Sequence, residues 1–193
     1  MEKYLQACIE INKNHSLDKN IETIEGIDYP AELLYANRLV DRLENFKPDA
    51  GELLKLAARC QHFKRWEILR NAYPMDKVGY LKWRKALYIY QSEESAKILE
   101  QVGYDDEFIS QFKMIVEKKE ISKNPNAQII EDVACLVFMD YYLEDFSKKH
   151  EPEKLKSIIA KTWKKMSNSA KSEALKFDFP GDLKKIILEA LNL

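Results

Sequence analysis

The amino-acid sequence predicts an all-α fold, a single compact multi-helix bundle that spans residues 1–193. Three observations predict it: apolar residues recur at helical spacing, turn-forming residues are few, and strand-like alternation is missing. Five Gly and six Pro in 193 residues provide few of the turns that many short strands need. We expect about eight or nine helices in one domain.

Helix boundaries are clearest toward the C-terminus. Pro suits the first turn of a helix, because its missing N–H is not needed there. After Pro180, the apolar residues of 183–190 recur at i, i+3, i+4 and i+7, which places one apolar stripe on a final helix. Further elements are expected from Asn124-Pro125 to about Phe146, from Glu151-Pro152 onward, and as a short helix or turn over Ser167–Phe177.

The N-terminal half has helix starts and stops of the same kind. Asp76 is suited to cap the long helix that follows it, through about Gln91, and Ser92 to cap the next short one. The other expected segments are a helix over Met1–Asn12, a loop over Asn14–Asp28 that exposes His15, a helix from Asp28-Tyr29-Pro30 to Lys47-Pro48-Asp49, a helix from Glu52 to about Lys64, a break at Tyr73-Pro74, and a helix capped near Asp105-Asp106.

Cysteine usage and hydropathy indicate a reducing compartment. Cys8, Cys60 and Cys135 are odd in number, widely spaced and embedded in apolar stretches, and no CxxC pair supports a zinc knuckle or a redox centre. The N-terminus has no long apolar signal region. The longest apolar run near the centre, Val133–Met139, is far shorter than the roughly 20 residues that span a bilayer. A cytoplasmic location without membrane attachment is therefore expected.

Charge is unevenly distributed along the chain. The segment Lys55–Lys85 holds nine Lys or Arg and two acids, a net charge of +7, so the remainder carries −8 to reach the overall −1. Such asymmetry can mark a surface or cleft that meets an anion. The alternative is a set of solvated helix faces.

Arginine and aromatic side chains are concentrated in Gln61–Arg84. Arg suits bidentate binding of phosphate or carboxylate, and Trp or Tyr supplies a stacking surface beside it. If Ala57–Leu69 is helical, the first members cluster at one helix end. The alternative places the aromatic rings in the core. The candidate ligand-binding residues in this segment are Gln61, Arg65, Trp66, Arg70, Tyr80 and Arg84.

Three further side chains are candidates for acid-base chemistry. His62 lies in an apolar run next to Arg65, where it is either a hydrogen-bonded core residue or a catalytic group. Glu131 and Asp132 lie in the early turns of the most apolar helix, and we expect them to meet the basic segment. The alternatives are a structural ion pair and acids at a helix start that interact favourably with the helix dipole. The GxSxG, P-loop, GxGxxG and HExxH patterns are absent from the sequence.

Five stretches of the chain resemble one protein family in order and spacing. They are ELLYANR (Glu32–Arg38), AARCQHFKRW (Ala57–Trp66), YPMDKVGYLKWR (Tyr73–Arg84), EDVACLVFMDYY (Glu131–Tyr142) and KTWKKMS (Lys161–Ser167). They look like a domain-of-unknown-function family of short bacterial, fungal and plant proteins. Some members carry a glutamyl-tRNA synthetase-like label, but the HIGH- and KMSKS-type signatures have no counterpart in this chain.

A second resemblance is to the HD-domain phosphohydrolases, which are all-helical and bind metal through His and Asp. Tyr35 stands where the first His of that family would be, and Gln61-His62 where its His-Asp pair would be. Asp132 keeps the type of the last Asp. The resemblance implies an altered site in which His62 and Asp132, with Glu32 or Glu131, hold one divalent metal ion. A phosphate-binding pocket without metal is the alternative that it implies.

Three functions follow as hypotheses. The first is a phosphohydrolase-like enzyme that binds an anionic small molecule or nucleotide, with Arg38 and Tyr35 added to the ligand-binding residues. Its catalytic residues would be His62, Glu131 and Asp132. The second is a module that binds tRNA or another nucleic acid through the basic stretch and Lys154–Lys165. The third is a protein-interaction domain in which the arginines are structural. The sequence does not determine the oligomeric state.

Overall fold

Ten α-helices and one two-stranded hairpin form most of the regular structure of residues 2–192, the part of the chain that the computed structural model describes. The all-α prediction is confirmed apart from the hairpin. The helices are α1 (Glu2–His15), α2 (Ala31–Phe46), α3 (Glu52–Arg59), α4 (Lys77–Gln101), α5 (Asp106–Val116), α6 (Pro125–Val137), α7 (Leu143–Ser147), α8 (Pro152–Lys165), α9 (Asn168–Ala174) and α10 (Gly181–Leu191). The strands are β1 (Ile21–Ile24) and β2 (Ile27–Pro30).

The described residues divide into two units between Ile130 and Glu131. The first contains α1 to α5 with the hairpin, and the second contains α7 to α10. The prediction of a single domain over residues 1–193 stays a prediction.

The core of the first unit lies between α1, α2, α3, α4 and α5. Helix α3 packs against α1, α2 and α5, and α4 packs against α1 and α5. Ile11, Leu39, Leu56 and Phe112 each supply a fully buried side chain to this core. Burial of one such side chain stabilises the fold by about 1.5–3 kcal/mol, so the short helix α3 is held by its neighbours and not by its own length.

The hairpin corrects the prediction that Asn14–Asp28 is a loop. Helix α1 continues to His15, which is fully buried instead of exposed. Strands β1 and β2 pair antiparallel, with Ile24 opposite Ile27. The two residues between them, Glu25 and Gly26, both have positive φ, +51° and +80°. This is the backbone of a tight two-residue hairpin turn. The hairpin was missed because strands this short and exposed lack the alternation of apolar and polar residues from which a longer strand is predicted.

Helix α4 is longer than predicted. Asp76 caps it as expected, because its carboxylate accepts a hydrogen bond of 2.6 Å from the Gly79 N–H. Ser92 does not begin a new helix. Its hydroxyl donates to the Ile89 carbonyl inside the same helix, and this back-bonding leaves the main chain helical. One helix of 25 residues therefore replaces the two that were predicted.

Helix α3 is shorter than predicted, because it ends at Arg59 and not near Lys64. His62 and Lys64 adopt left-handed backbone conformations, with φ of +62° and +48°. A short 3₁₀ turn over Arg65–Glu67 follows. The helical spacing assumed for Ala57–Leu69 is therefore wrong.

The second unit is built around a small apolar core. Leu143 of α7, Leu155 and Ile159 of α8, and Leu183 and Ile187 of α10 are all buried there. The helix starts were predicted well: α8 has Pro in its first turn, Pro180 precedes α10, and the Ser167 hydroxyl caps α9 through the Ala170 N–H.

A five-residue π-helix, Phe138–Tyr142, joins α6 to α7. Five residues of α-helix turn through about 500°, which would put Phe138 and Leu143 about 140° apart. The wider π turn brings positions i and i+5 into line. Phe138 can therefore pack against the core that buries Leu143.

No helix among residues 2–192 is long and apolar enough to cross a membrane. The three cysteines are free thiols, as predicted; Cys60 and Cys135 are buried and Cys8 is half-buried. Burial raises the pKa of Cys60 to about 12, so this thiol stays protonated.

Candidate functional site

A glutamate and a histidine 30 residues apart in sequence form the centre of the candidate site. Glu32 lies in the first turn of α2, and His62 lies in the turn after α3. The Oε2 atom of Glu32 is 3.0 Å from Nδ1 of His62. A carboxylate only accepts hydrogen bonds, so Nδ1 carries a proton and donates it to Glu32.

Arg65 engages the other side of the same imidazole. Its Nη1 atom lies 2.7 Å from Nε2 of His62 and 3.2 Å from Nδ1. A guanidinium only donates, so Nε2 accepts and carries the lone pair. The two neighbours of His62 therefore specify one neutral tautomer, with Nδ1 protonated and Nε2 basic.

Aromatic rings pack against both His62 and Arg65. Tyr35, one turn after Glu32 on α2, stacks on His62 with ring centroids 4.2 Å apart and planes 13° apart. The Arg65 guanidinium lies 5.2 Å from the ring centroid of Trp83, a buried residue whose indole N–H donates to the Ile68 carbonyl at 2.9 Å. We call Glu32, Tyr35, His62 and Arg65 the Glu–His–Arg cluster.

The electrostatic environment keeps His62 neutral. Burial lowers its pKa below the usual 6.5, and the positive charges of Arg65 and Lys118 lower it further. Glu32 acts in the opposite direction and raises the pKa, but by less than the lowering causes. At neutral pH the imidazole is therefore an unprotonated base beside a guanidinium.

The backbone of this segment is held in an uncommon conformation. Left-handed φ at two non-glycine residues, His62 and Lys64, costs of order 1–2 kcal/mol each. Phe63, between them, is fully buried and packs edge-on against the ring of His15 at 5.3 Å. This anchor overrides the local preference and turns His62 toward Glu32.

Asp18 positions Glu32 through a hydrogen bond to its backbone. It is buried, with 4% of its surface exposed, and its Oδ2 atom accepts a hydrogen bond of 3.1 Å from the Glu32 N–H at the start of α2. Its Oδ1 atom accepts from the backbone and side chain of Asn20, at 3.0 and 2.8 Å. Asp18 was not predicted, because its contact crosses 14 residues and no local spacing signals it.

A groove of about 510 Å³ is lined in part by Asp18, which binds Glu32, and by Lys64 and Trp66, which flank Arg65 in sequence. Trp66, half-buried, and Leu17 give it an apolar wall. The full lining comprises Asn14, Leu17, Asp18, Lys19, Asn20, Lys64, Trp66 and Glu67. We call this cavity the Trp66 groove. It shares Asp18 with the support of Glu32, and the 3₁₀ turn that carries Arg65 also carries Trp66.

The other predicted arginines have structural partners. Arg38 forms an ion pair of 3.1 Å with Glu22 of the hairpin. Arg84 donates to the hydroxyl of Tyr88, one turn along α4. Neither contact involves a member of the Glu–His–Arg cluster.

Arg70 ties down the loop before α4. Its guanidinium donates to the carbonyls of Tyr73 and Asp76 at 3.1 and 3.3 Å. It also lies 5.9 Å from the ring centroids of both Tyr80 and Trp83, so it shares Trp83 with Arg65. Tyr80 is 42% exposed, whereas Trp83 is in the core. Gln61 is buried and donates to the Ala57 carbonyl at 3.2 Å.

Glu131 and Asp132 belong to the second unit, where both are buried. Glu131 forms an ion pair of 3.3 Å with Lys165 of α8. Asp132 accepts a hydrogen bond of 2.7 Å from the Ser167 N–H at the start of α9. The expectation that the two acids meet the basic segment stays a prediction.

The predicted metal ligands were His62 and Asp132. Among residues 2–192, no group of three or more His, Cys, Asp or Glu side chains is arranged to hold a metal ion. Both ring nitrogens of His62 are engaged, and a divalent cation at Nε2 would have to sit beside the fixed positive charge of Arg65. The groups present at His62 do not suit a divalent cation.

Sequence comparison places the chain in a family. The model of a protein family described as Domain of unknown function (DUF4202) matches residues 5–187. No curated protein and no solved structure matches the chain significantly. The likeness to HD-domain phosphohydrolases stays a prediction, although Tyr35 and His62, which that likeness assigned to one site, are in contact. Because the match covers more than half of its length, the chain belongs to the family Domain of unknown function (DUF4202).

Proposed function

We propose that the chain binds a phosphorylated small molecule at the Glu–His–Arg cluster and hydrolyses its phosphoester bond. The observation that carries the proposal is a neutral His62 whose basic Nε2 atom faces the guanidinium of Arg65 at 2.7 Å. Arg65 has 36% of its side chain exposed, so it can reach a ligand from solvent. A base and a phosphate-binding cation therefore lie side by side.

Ligand binding would change the partner of His62. A phosphate group that draws the Arg65 guanidinium away leaves the Nε2 lone pair for a water molecule. Glu32 keeps Nδ1 protonated and stabilises the imidazolium that forms when Nε2 takes a proton. Tyr35 holds the plane of the ring by stacking on it.

The reaction balances with these groups alone. His62 Nε2 takes one proton from the water while the water oxygen bonds to phosphorus. The phosphorus–oxygen bond of the ester breaks, and the imidazolium returns the proton to the departing alcohol oxygen. Arg65 compensates the charge on the phosphoryl oxygens during transfer. General acid-base catalysis of this type contributes about 10²–10⁴-fold to a rate.

Backbone strain supports a functional role over a purely structural one. A histidine that only filled space in the core would not need left-handed φ at two non-glycine positions, His62 and Lys64. Its side chain is also 29% exposed, so ligands can reach it. The rival interpretation, in which Arg65 is only a support for Trp83, predicts no ligand at all.

Turnover of a phosphoester panel tests the proposal. Release of phosphate would be measured from 4-nitrophenyl phosphate, ribose 5-phosphate and the nucleoside 5′-monophosphates, with binding followed by calorimetry. We expect His62→Gln to lower kcat by at least about 10²-fold with Kd little changed, and Arg65→Gln to raise Kd. Lys82→Gln, an exposed residue of the same basic segment, removes the same charge as a control. Wild-type protein that neither binds nor hydrolyses any of these compounds refutes the proposal.

The pH profile gives a second test. Nε2 must be unprotonated to accept a proton, and the pKa of His62 is lowered from 6.5. We expect the midpoint of the acid limb of kcat/KM to lie below pH 6.5. A midpoint above pH 6.5 would contradict the role of His62 as the base.

A second function, nucleic-acid binding, has one observation in its favour. Lys154, Lys161 and Lys164 are exposed on α8, at i, i+7 and i+10, which is one side of a helix. If they contact phosphates, the affinity for a labelled RNA hairpin should fall steeply with salt. A Lys161→Gln, Lys164→Gln double variant should reduce that salt dependence. Affinity that is insensitive to salt excludes this function.

A further inference from the structure

The Trp66 groove has the chemistry of a ring-binding site. Trp66 and Leu17 give it an apolar wall, and amide, carboxylate and ammonium groups of Asn14, Glu67 and Lys19 surround that wall. Its volume, about 510 Å³, falls within the range of about 300–1,000 Å³ of small-molecule sites. An indole beside polar groups suits a flat heterocycle, which stacks on the ring and bonds through its edge.

The groove and the Glu–His–Arg cluster share two structural supports. The first is the 3₁₀ turn, in which Arg65 and Trp66 are consecutive residues about 120° apart around the axis. Arg65 therefore contacts His62, while Trp66 lines the groove. The second is Asp18, which lines the groove and binds the Glu32 N–H at 3.1 Å. A ligand that filled both places would carry a ring for the Trp66 groove and a phosphate for Arg65.

We propose that the Trp66 groove binds the base of a nucleoside 5′-monophosphate whose phosphate lies at Arg65. The inference rests on the proposed function, because it names the substrate class of the same site. Trp66 is a better platform than Tyr80, because Tyr80 lies under Arg70 and does not line the groove.

Calorimetry with three probes separates the ring from the phosphate. Ribose 5-phosphate carries the anion without a base, adenosine carries the base without the anion, and adenosine 5′-monophosphate carries both. We expect wild-type protein to bind the monophosphate about 5- to 150-fold more tightly than ribose 5-phosphate, the factor that one stacked base supplies. Guanosine, cytidine and uridine monophosphates, measured in parallel, report which base fits best.

Variants of two tryptophans make the test specific. We expect Trp66→Leu to remove the advantage of the monophosphate and to leave ribose 5-phosphate binding unchanged. Trp66→Phe keeps a smaller aromatic platform and should retain part of the advantage, which guards against a folding defect in the Leu variant. Trp163→Leu, a change in α8 of the second unit, is the matched control and should retain all of it.

The outcomes distinguish this inference from the proposed function. Equal affinity of wild-type protein for ribose 5-phosphate and the monophosphates overturns the ring site, while the phosphate site stands. Equal weakening of both probes in Trp66→Phe also overturns it, because Trp66 would then support the phosphate site and not a base. Failure of every phosphorylated probe to bind wild-type protein overturns the proposed function and this inference together.

Discussion

Replacing Gly79 by Ala tests the description of the loop before α4. Within a helix, Gly→Ala ordinarily stabilises by about 0.8–1 kcal/mol. Gly79 is different, because a Cβ atom there would lie 2.0 Å from the Pro74 carbonyl oxygen, 2.7 Å from its carbon and 2.9 Å from Pro74 Cβ. Two of these three atoms belong to the main chain, so no side-chain rotation relieves the overlap.

Whether Gly79→Ala stabilises or destabilises the protein depends on the gain in helix propensity and the cost of the overlap with Pro74. Real Cβ contacts stay beyond 3.0 Å, so the Pro74 carbonyl must move by about 1 Å. Overpacking of this kind typically costs about 1–3 kcal/mol, which exceeds the gain in helix propensity. The shift also displaces Tyr73 and Asp76, whose carbonyls accept hydrogen bonds from Arg70. We expect net destabilisation of about 1–2 kcal/mol.

Urea unfolding followed by far-UV circular dichroism measures this change. The midpoint should fall with the slope unchanged, since the native fold is kept. Gly181→Ala is the control, because it lies in the first turn of α10 and a Cβ there meets nothing within 4 Å. That variant should be as stable as wild type or slightly more stable. A Gly79→Ala protein that matches or exceeds wild-type stability refutes the close approach of Pro74.

Three further predictions concern stability. Burial lowers the pKa of His15 below 6.5, so the unfolded chain takes up a proton before the folded chain does, and stability should fall as pH drops below 6.5. His15→Gln should flatten this pH dependence in urea titrations from pH 7.5 to 5. An unchanged slope of stability against pH would contradict the prediction. Glu25→Asn should stabilise the fold by at most about 1 kcal/mol and raise the melting temperature, because Asn tolerates the left-handed turn better than Glu. A lower melting temperature would argue against that turn. Asp132→Ala should lower the free energy of unfolding in urea by about 1–3 kcal/mol, because the Ser167 N–H loses the carboxylate that accepts its hydrogen bond. An unchanged free energy of unfolding would mean that this bond contributes little.

Local signals predicted the parts of the fold that local chemistry determines. Pro180 and the apolar stripe after it located α10, and Asp76 was correctly identified as a cap because capping involves only a few neighbouring residues. The end of α3 was missed for the opposite reason. The chain leaves the helix after Arg59 so that Phe63 can be buried, and this gain depends on residues distant in sequence.

In the candidate site, too, the contact between residues close in sequence was predicted and the contact between distant residues was missed. His62 and Arg65 were expected to be neighbours, and they are, although a turn and not a helix brings them together. Glu32 was named only as a further metal ligand, because its contact with His62 crosses 30 residues. A single sequence carries no signal for such a pair, since neither periodicity nor spacing reaches that far.

The π-helix at Phe138–Tyr142 has a consequence for the alignment of related chains. It fits one more residue into the turn than an α-helix would, so loss of one residue there would restore regular α-helix without breaking it. Phe138 and Leu143 would then be four α-helical residues apart, about 40° around the axis, so Leu143 would keep its place beside Leu155 and Ile159. A family member with a one-residue gap here should therefore keep the same apolar positions in the helix equivalent to α7. Alignments that ignore the gap will pair core residues with surface ones.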